Sequence, residues 1–517
     1  MISRTALGGC VLSAVIMTSS VGLASAQQRA QPATQISSAN PQIQMRDPQV
    51  RTRLVSNLSG ISVDAVMAMA EGASRPGSNE RAREVQSQRD GVDRAVSRAE
   101  IGTLIRLPAR AGTESAPGNI LPPPRVRPGR AVPPAPSDRA IQAPERTVPP
   151  RAPTPSGGTS LAAPPQPYLD VNGFGEDLHN ALRNSVQGYT MRMRRNGQNI
   201  YTLQWNWARR PADGGRGWNP DRRMNIASVS KFVTAVAMVD LLDRRNIDPK
   251  TSIAQWLPAY WSRGANVNNI TFEMLMTHSS GFNNSGSTAF ATMRQMVASG
   301  VTANLPTSFT YENTNFGLQR ILIATLGGYV NRNMDMGNVG LNDAMWDAAT
   351  RAAYADYVSK NVFAPAGIAN AGFDKTANTA LAYSISGGAA WNSGDLSWRA
   401  GSGGWHLSVD EILDVAAAYL YSGKIVSTSR ASSSIGKMYG FDGRWNTPAG
   451  LVYHKNGSWR EQADCPVGQR QEQSLLLVMP GNMEMALLVN SPVGPSCTFL
   501  RGIVQQIYMD NIVVPNG

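Results

Sequence analysis

Aromatic residues are missing from the first third of this chain. All 36 of them lie from Tyr168 onward in a sequence of 517 residues. Residues 1–165 also hold no lysine, while carrying 19 arginines and 20 of the 33 prolines. Such a segment cannot bury enough apolar surface to offset its ordering entropy. This excludes a globular protein of 500 residues and leaves roughly 350 for one large domain or two small ones. Histidine is scarce too. His179, His278, His406 and His454 are the only four, and none forms an H-E-x-x-H or H-x-x-x-H pair, so no metal site is expected. They read as structural hydrogen-bonders. There is no G-x-S-x-G turn and no P-loop, which excludes the strand–elbow–helix hydrolases and the common nucleotide cradle. No cofactor is called for.

The chain begins with Arg4, a short apolar stretch from Ala6 to Met17, and the small residues Ala24-Ser25-Ala26. This is the pattern of an export signal cleaved near Ala26, implying a periplasmic or secreted protein. Leu7-Gly8-Gly9-Cys10 spells a lipoprotein box, but almost no apolar core precedes Cys10. No later apolar run is long enough to span a membrane. Residues 27–165 read as a Pro/Arg/Ala-rich linker, with short helices allowed at Val63–Ala70 and Arg81–Leu107 and a polyproline spacer from Pro122 to Pro165. The net charge of +12 divides into +8 for residues 1–165 and +4 for the rest. The basic residues of the tail are scattered among acids, so contact with a cell wall or membrane surface is open to it and nucleic acid is not expected.

Signal removal leaves Cys465 and Cys497. The apolar runs Leu475–Met479 and Met485–Asn490 lie between them and meet at Pro480-Gly481-Asn482. A hairpin folded at Gly481 brings the two cysteines opposite each other, and an exported protein can keep that disulfide. Folded structure is expected from residue 166 to 517. Asn196-Gly197 marks a hairpin, followed by Tyr201, Leu203, Trp205 and Trp207 at period two. After Asn225 the period becomes helical, through Phe232, Val233, Val236, Val239 and Leu242. Helices are expected at Val409–Tyr421 and over Leu500, Ile503, Val504 and Ile507. Strands, then helices, then strands and a closing helix predict a sheet built from both chain ends.

The chemistry-bearing residues sit at Ser228-Val229-Ser230-Lys231, on the first turn of the apolar helix. Three residues apart on a helix, Lys231 reaches the Ser228 hydroxyl, and burial of its ammonium makes it a usable base. A second copy, Ser434-Ile435-Gly436-Lys437, has no apolar helix after it and reads as a loop.

Met224-Asn225-Ile226-Ala227-Ser228-Val229-Ser230-Lys231 resembles the active-site helix of the serine β-lactamase and penicillin-binding protein superfamily. Four further blocks follow in that family's order. They are Ile270 to Phe282 with Leu275-Met276-Thr277-His278-Ser279-Ser280-Gly281, then Tyr311-Glu312-Asn313, then Val362 to Ile368, then Lys455-Asn456-Gly457-Ser458. The Tyr311 block looks like the class C branch. The resemblance covers about 190–510 and implies an α+β fold of β-lactamase/transpeptidase type, an antiparallel sheet flanked by helices plus a mostly helical subdomain. It also implies catalytic roles for Ser228, Lys231 and Tyr311, and substrate contacts from Asn313, Lys455, Asn456, Gly457 and Ser458. Tyr311 titrates ordinarily near 10, so acting as a base requires the ammonium groups of Lys231 and Lys455 to stabilise its phenolate. The substrate expected is a small molecule or a peptidoglycan-derived peptide: a D-amino-acid amide, a β-lactam or an ester. Two departures matter. Asn456 replaces the threonine of Lys-Thr-Gly, and Glu312 adds an acid near the cleft. Lys455 favours an anionic substrate carboxylate. A carboxylesterase on the same fold and a catalytically silent wall-binding protein are the alternatives.

Overall fold

The computed structural model describes residues 47–73 and 166–515, apart from 285, 463, 464 and 466. Helix α1 (Pro48–Asn57) starts with proline at its first turn and with the Asp47 carboxylate accepting from the Gln49 N–H at 2.8 Å. Helix α2 (Val63–Ala73) follows, and both pack on the folded domain. Val50, Leu54, Val66 and Ala70 are buried in the main core. The short helix allowed at Val63–Ala70 is present as Val63–Ala73, and a second one, Pro48–Asn57, has no counterpart in the linker expected over 27–165. Those apolar residues recur at helical spacing and borrow the surface of another helix. The export signal, the proline spacer and the helix expected at Arg81–Leu107 lie outside the described residues.

The centre of the fold is a seven-stranded antiparallel sheet. Its strands are β1 (Gly188–Arg195), β2 (Gln198–Arg209), β3 (Arg216–Gly217), β4 (Gly443–Thr447), β5 (Gly450–Arg460), β6 (Gln471–Met479) and β7 (Met483–Val489). They lie in the order β3-β2-β1-β7-β6-β5-β4, so β1 from the N-terminal side pairs with β7 from the C-terminal side. The β1–β2 turn is Asn196-Gly197, both at positive φ, 51° and 74°. The β6–β7 turn is Pro480-Gly481-Asn482, with Met479 opposite Met483. Cys465 and Cys497 are disulfide-bonded, with Cα atoms 6.0 Å apart.

Because successive side chains on a strand point to opposite faces, the apolar run of β6 serves two cores. Leu475, Leu477 and Met479 face α3 (Val171–Leu182) and α11 (Leu500–Asp510), whose Phe174, Leu178, Val504 and Tyr508 complete the smaller core. Leu476, with Ala486 and Leu488 of β7, joins the larger core on the opposite face. That core is built around α4 (Ser230–Arg244), buried from Ser230 to Leu242. A helix apolar nearly all round needs such a position. The helical region beside it holds α5 (Phe272–Met276), α6 (Phe290–Ser299), α7 (Asn313–Leu326) and α8 (Val339–Val358), with α7 and α8 packed on α4.

Helix α9 (Val409–Leu420) opens with a reciprocal cap between Ser408 and Glu411 and packs on β7. Helix α10 (Thr428–Gly436) corrects one expectation, since Ser434 and Ile435 close a helix and are not loop. Ser427 caps its start, and Ala431 and Ile435 are buried. Ser434 bonds to its own helix and half-exposed Lys437 pairs with Glu273, so this second Ser-x-x-Lys is structural.

Candidate active site

Ser228 sits in a single 3-10 turn, Ala227–Val229, that leads into α4. The residue before it, Ala227, has φ +44°. A non-glycine residue in the left-handed region costs roughly 1–2 kcal/mol, and such strain is held only where surrounding contacts over-determine it. Here they do. The Asn225 side-chain oxygen accepts from the Ala227 N–H at 2.9 Å, the Ser474 hydroxyl donates to the Ile226 carbonyl at 2.7 Å, and the Ile226 N–H donates to the Trp405 carbonyl at 2.9 Å.

Lys231, one turn along, has no solvent exposure. Its ammonium donates to Ser228 Oγ at 3.0 Å, Asn313 Oδ1 at 2.7 Å and the Ser402 carbonyl at 2.7 Å. The Tyr311 hydroxyl donates to the same Ser228 oxygen at 2.7 Å. Helix α7 brings Asn313 in at its first turn, and Asn313 Nδ2 is buried with no hydrogen-bond partner among the described residues. His278, at φ +55°, stacks on the Tyr311 ring at 4.4 Å and accepts the Glu312 N–H on Nδ1 at 3.0 Å. It braces the tyrosine, as a structural histidine should. The Glu312 carboxylate accepts from the Thr314 and Asn284 N–H groups, so the acid expected near the cleft is engaged in capping α7.

Strand β5 runs against the Ser228 turn. A Cβ on Gly457 would lie 2.5 Å from the Ile226 carbonyl and 3.1 Å from the Ser228 nitrogen, so only glycine allows this approach. Ser458 follows it and lines a small cleft with Ser228, Ser402 and Trp459. Lys455 is buried, and both its ammonium and that of Lys231 lie 4.9 Å from the centre of the Tyr311 ring. Its charge is not left for substrate alone. Asp442, just before β4, takes a hydrogen bond from Lys455 Nζ and another from the Asn456 N–H at 2.9 Å. Burial pushes the Asp442 carboxyl up, but Lys455, His454 and the Asn456 N–H outweigh it and hold it below the usual carboxylate range. His454 is pushed down to about 4, chiefly by burial, with Arg501 and Lys455 adding to it and Asp442 opposing. Asn456 contributes its backbone N–H to Asp442, and its side-chain oxygen is buried without a partner among the described residues.

The sequence-predicted residues thus converge, with Ser228, Lys231, Tyr311 and Asn313 in direct hydrogen-bonded contact and Lys455, Gly457 and Ser458 along the adjoining strand. A family model described as Beta-lactamase matches residues 178–471, more than half of the chain. The chain belongs to the Beta-lactamase family. It is a serine hydrolase of this fold. Among solved structures it is similar to FmtA from Staphylococcus aureus, at 14% identity over 69% of this chain and 92% of that one, with a TM-score of 0.49. It is also similar to an octameric penicillin-binding protein homologue from Pyrococcus abyssi (16%, 66% and 76%, 0.46) and to a D-amino acid amidase from Ochrobactrum anthropi SV3 (18%, 65% and 96%, 0.46). Within this Beta-lactamase domain, motif reasoning did not find Asp442, the Ser402 carbonyl or the Asn225 side chain. A backbone carbonyl carries no sequence signal, and Asp442 meets Lys455, and Asn225 meets Glu472, only through the fold.

Proposed function

We propose that this enzyme forms an acyl-enzyme through Ser228 and hydrolyses a D-amino-acid amide, a β-lactam or an ester. The observation that carries the proposal is the Ser228 oxygen held between the Lys231 ammonium at 3.0 Å and the Tyr311 hydroxyl at 2.7 Å. Lys231 donates to three acceptors, the full capacity of an ammonium, so it supplies charge more readily than it takes a proton. That leaves Tyr311, as phenolate, to take the serine proton while the two ammonium groups offset its charge. Ser228 Oγ bonds the carbonyl carbon, and the Ser228 and Ser458 N–H groups receive the oxyanion, each such donor contributing about 3–4 kcal/mol. The C–N or C–O bond then breaks with the proton passing from Tyr311 to the leaving group. Water repeats the sequence to release the acid. Asn313 Nδ2, which has no partner among the described residues, would orient the substrate carbonyl side.

A second reading, a carboxylesterase with an uncharged substrate, is favoured by Asp442. Its carboxylate already pairs with Lys455, which weakens the case for a substrate carboxylate there. We place either activity outside the cytoplasm, on the pattern of Arg4, Ala6–Met17 and Ala24–Ala26 and with support from the disulfide. The test is labelling by a fluorophosphonate and a fluorescent penicillin, with nitrocefin and p-nitrophenyl ester turnover measured side by side. Labelling is expected in the wild type and not in Ser228→Ala. If neither probe labels the wild type, the enzyme mechanism is wrong and a silent wall-binding role takes its place.

A further inference from the structure

A third buried lysine lies close to the Ser228 turn and has no part in the chemistry above. The Lys375 ammonium donates to Glu472 Oε1 and to Ser393 Oγ, the latter at 3.1 Å. The Lys375 and Glu472 side chains are 1% and 0% exposed. Removing two charges from water is costly, and an apolar pair of the same volume often serves stability as well. The carboxylate has a second contact. Its Oε2 accepts from Asn225 Nδ2 at 3.0 Å, and Asn225 Oδ1 accepts from the Ala227 N–H at 2.9 Å. Ala227 is the residue in the left-handed region immediately before Ser228.

We propose that Lys375 and Glu472 are positioning residues for the nucleophile, acting through the Asn225 amide. An ionised carboxylate only accepts, so Glu472 admits Asn225 with its NH2 toward strand β6 and its oxygen toward Ala227. The flipped amide would set NH2 against N–H and oxygen against carboxylate. With the amide locked, Ala227 keeps its positive φ, and the Ser228 hydroxyl and N–H keep their aim. Lys375 pairs with the carboxylate that does the locking. The short antiparallel pairing of Met224–Asn225 with His406–Leu407 holds Asn225 in place from the other side. The proposal rests on Ser228 being the nucleophile, and its test separates the two.

Four variants of the full chain decide it: Asn225→Ala, Glu472→Leu, the double variant Lys375→Met with Glu472→Gln, and Ser228→Ala. Fluorophosphonate labelling rate, kcat and KM for a p-nitrophenyl ester, and thermal unfolding are measured for each. Asn225→Ala and Glu472→Leu should slow labelling and kcat by about 100-fold, with KM within about twofold and the pH–rate profile unchanged in shape, as for a misaimed nucleophile. In the double variant the glutamine carbonyl still accepts from Asn225, and the rate should return to within about threefold of wild type. Should Glu472→Leu fail to fold, Asn225→Ala keeps the ion pair and decides alone. Folded Asn225→Ala labelling at the wild-type rate overturns the proposal, as does a double variant no faster than Glu472→Leu. Undiminished labelling of Ser228→Ala instead overturns the assignment of the nucleophile.

Discussion

Three of the seven lysines have buried side chains, and each meets a different partner. Lys231 meets neutral oxygens, Lys375 meets Glu472, and Lys455 meets Asp442. The last pairing sets substrate charge. Asp442→Asn removes the carboxylate that pairs with Lys455, and the kcat/KM ratio for nitrocefin over a neutral ester should rise about tenfold, the worth of roughly 1.4 kcal/mol. Melting temperature should fall, because breaking a buried pair by removing one partner commonly costs about 3–5 kcal/mol. An unchanged ratio would show that Lys455 does not read substrate charge. Glu484, on β7, gives a pH prediction. Burial raises its carboxyl from 4.5 to about 7, against opposing effects of Tyr421 and Arg194. The folded state therefore holds a proton that the unfolded chain has released between pH 4.5 and 7. Stability from this group is present below 4.5 and lost as pH rises through 7. Glu484→Gln should match wild type near pH 4 and exceed it at pH 8 by up to about 3 kcal/mol in denaturant melts. His454 acts in the opposite sense, contributing above its ordinary 6.5 and losing that contribution as pH falls to about 4.

Among the elements, those with a local signature are legible in the sequence. Asn196-Gly197 announces the β1–β2 turn, because both residues must take positive φ, and the apolar run around α4 announces a buried helix. The Ser-x-x-Lys, Tyr-x-Asn and Lys-x-Gly blocks announced the candidate site through resemblance. What was not legible came from pairings between distant segments. Ser434-Ile435-Gly436-Lys437 reads as a loop in the sequence because the apolar face of α10 is only Ala431 and Ile435, too few to show a period. Glu472 and Lys375 are 97 residues apart and belong to no motif. Strand β5 adds its own prediction. Gly457→Ala would set a methyl 2.1 Å from Ser474 Oγ as well as against the Ile226 carbonyl, so β5 must shift from the nucleophile turn. Fluorophosphonate labelling should drop by about 100-fold, the order expected when a reacting group moves by about an ångström. A labelling rate equal to wild type would mean that the strand relaxes without moving Ser228.

At the scale of the molecule, the N-terminal helices show how composition averaged over 165 residues hides a short docked segment. Leu54 and Val66 are fully buried although no aromatic residue lies anywhere near them in sequence. The helix of Val66 packs on α8, and the chain at the end of α1 is bonded to the domain by Ser59 N–H to the Tyr329 carbonyl and Asn331 N–H to the Asn57 carbonyl, both at 2.9 Å. Helix α8 also reaches toward the site. The Tyr354 hydroxyl hydrogen-bonds with Thr234 of α4 at 2.6 Å and accepts from the Trp405 ring N–H at 3.0 Å, next to the segment whose Ser402 carbonyl holds Lys231. Leu54→Ala should therefore lower stability by about 2–5 kcal/mol, as for a buried leucine truncated to alanine. No described residue of α1 or α2 hydrogen-bonds with Ser228, Lys231 or Tyr311, so the fluorophosphonate labelling rate of the folded protein should stay at the wild-type value. A rate that falls along with stability would instead mean that the docked helices set the position of α8, and through Tyr354 the hold on Lys231.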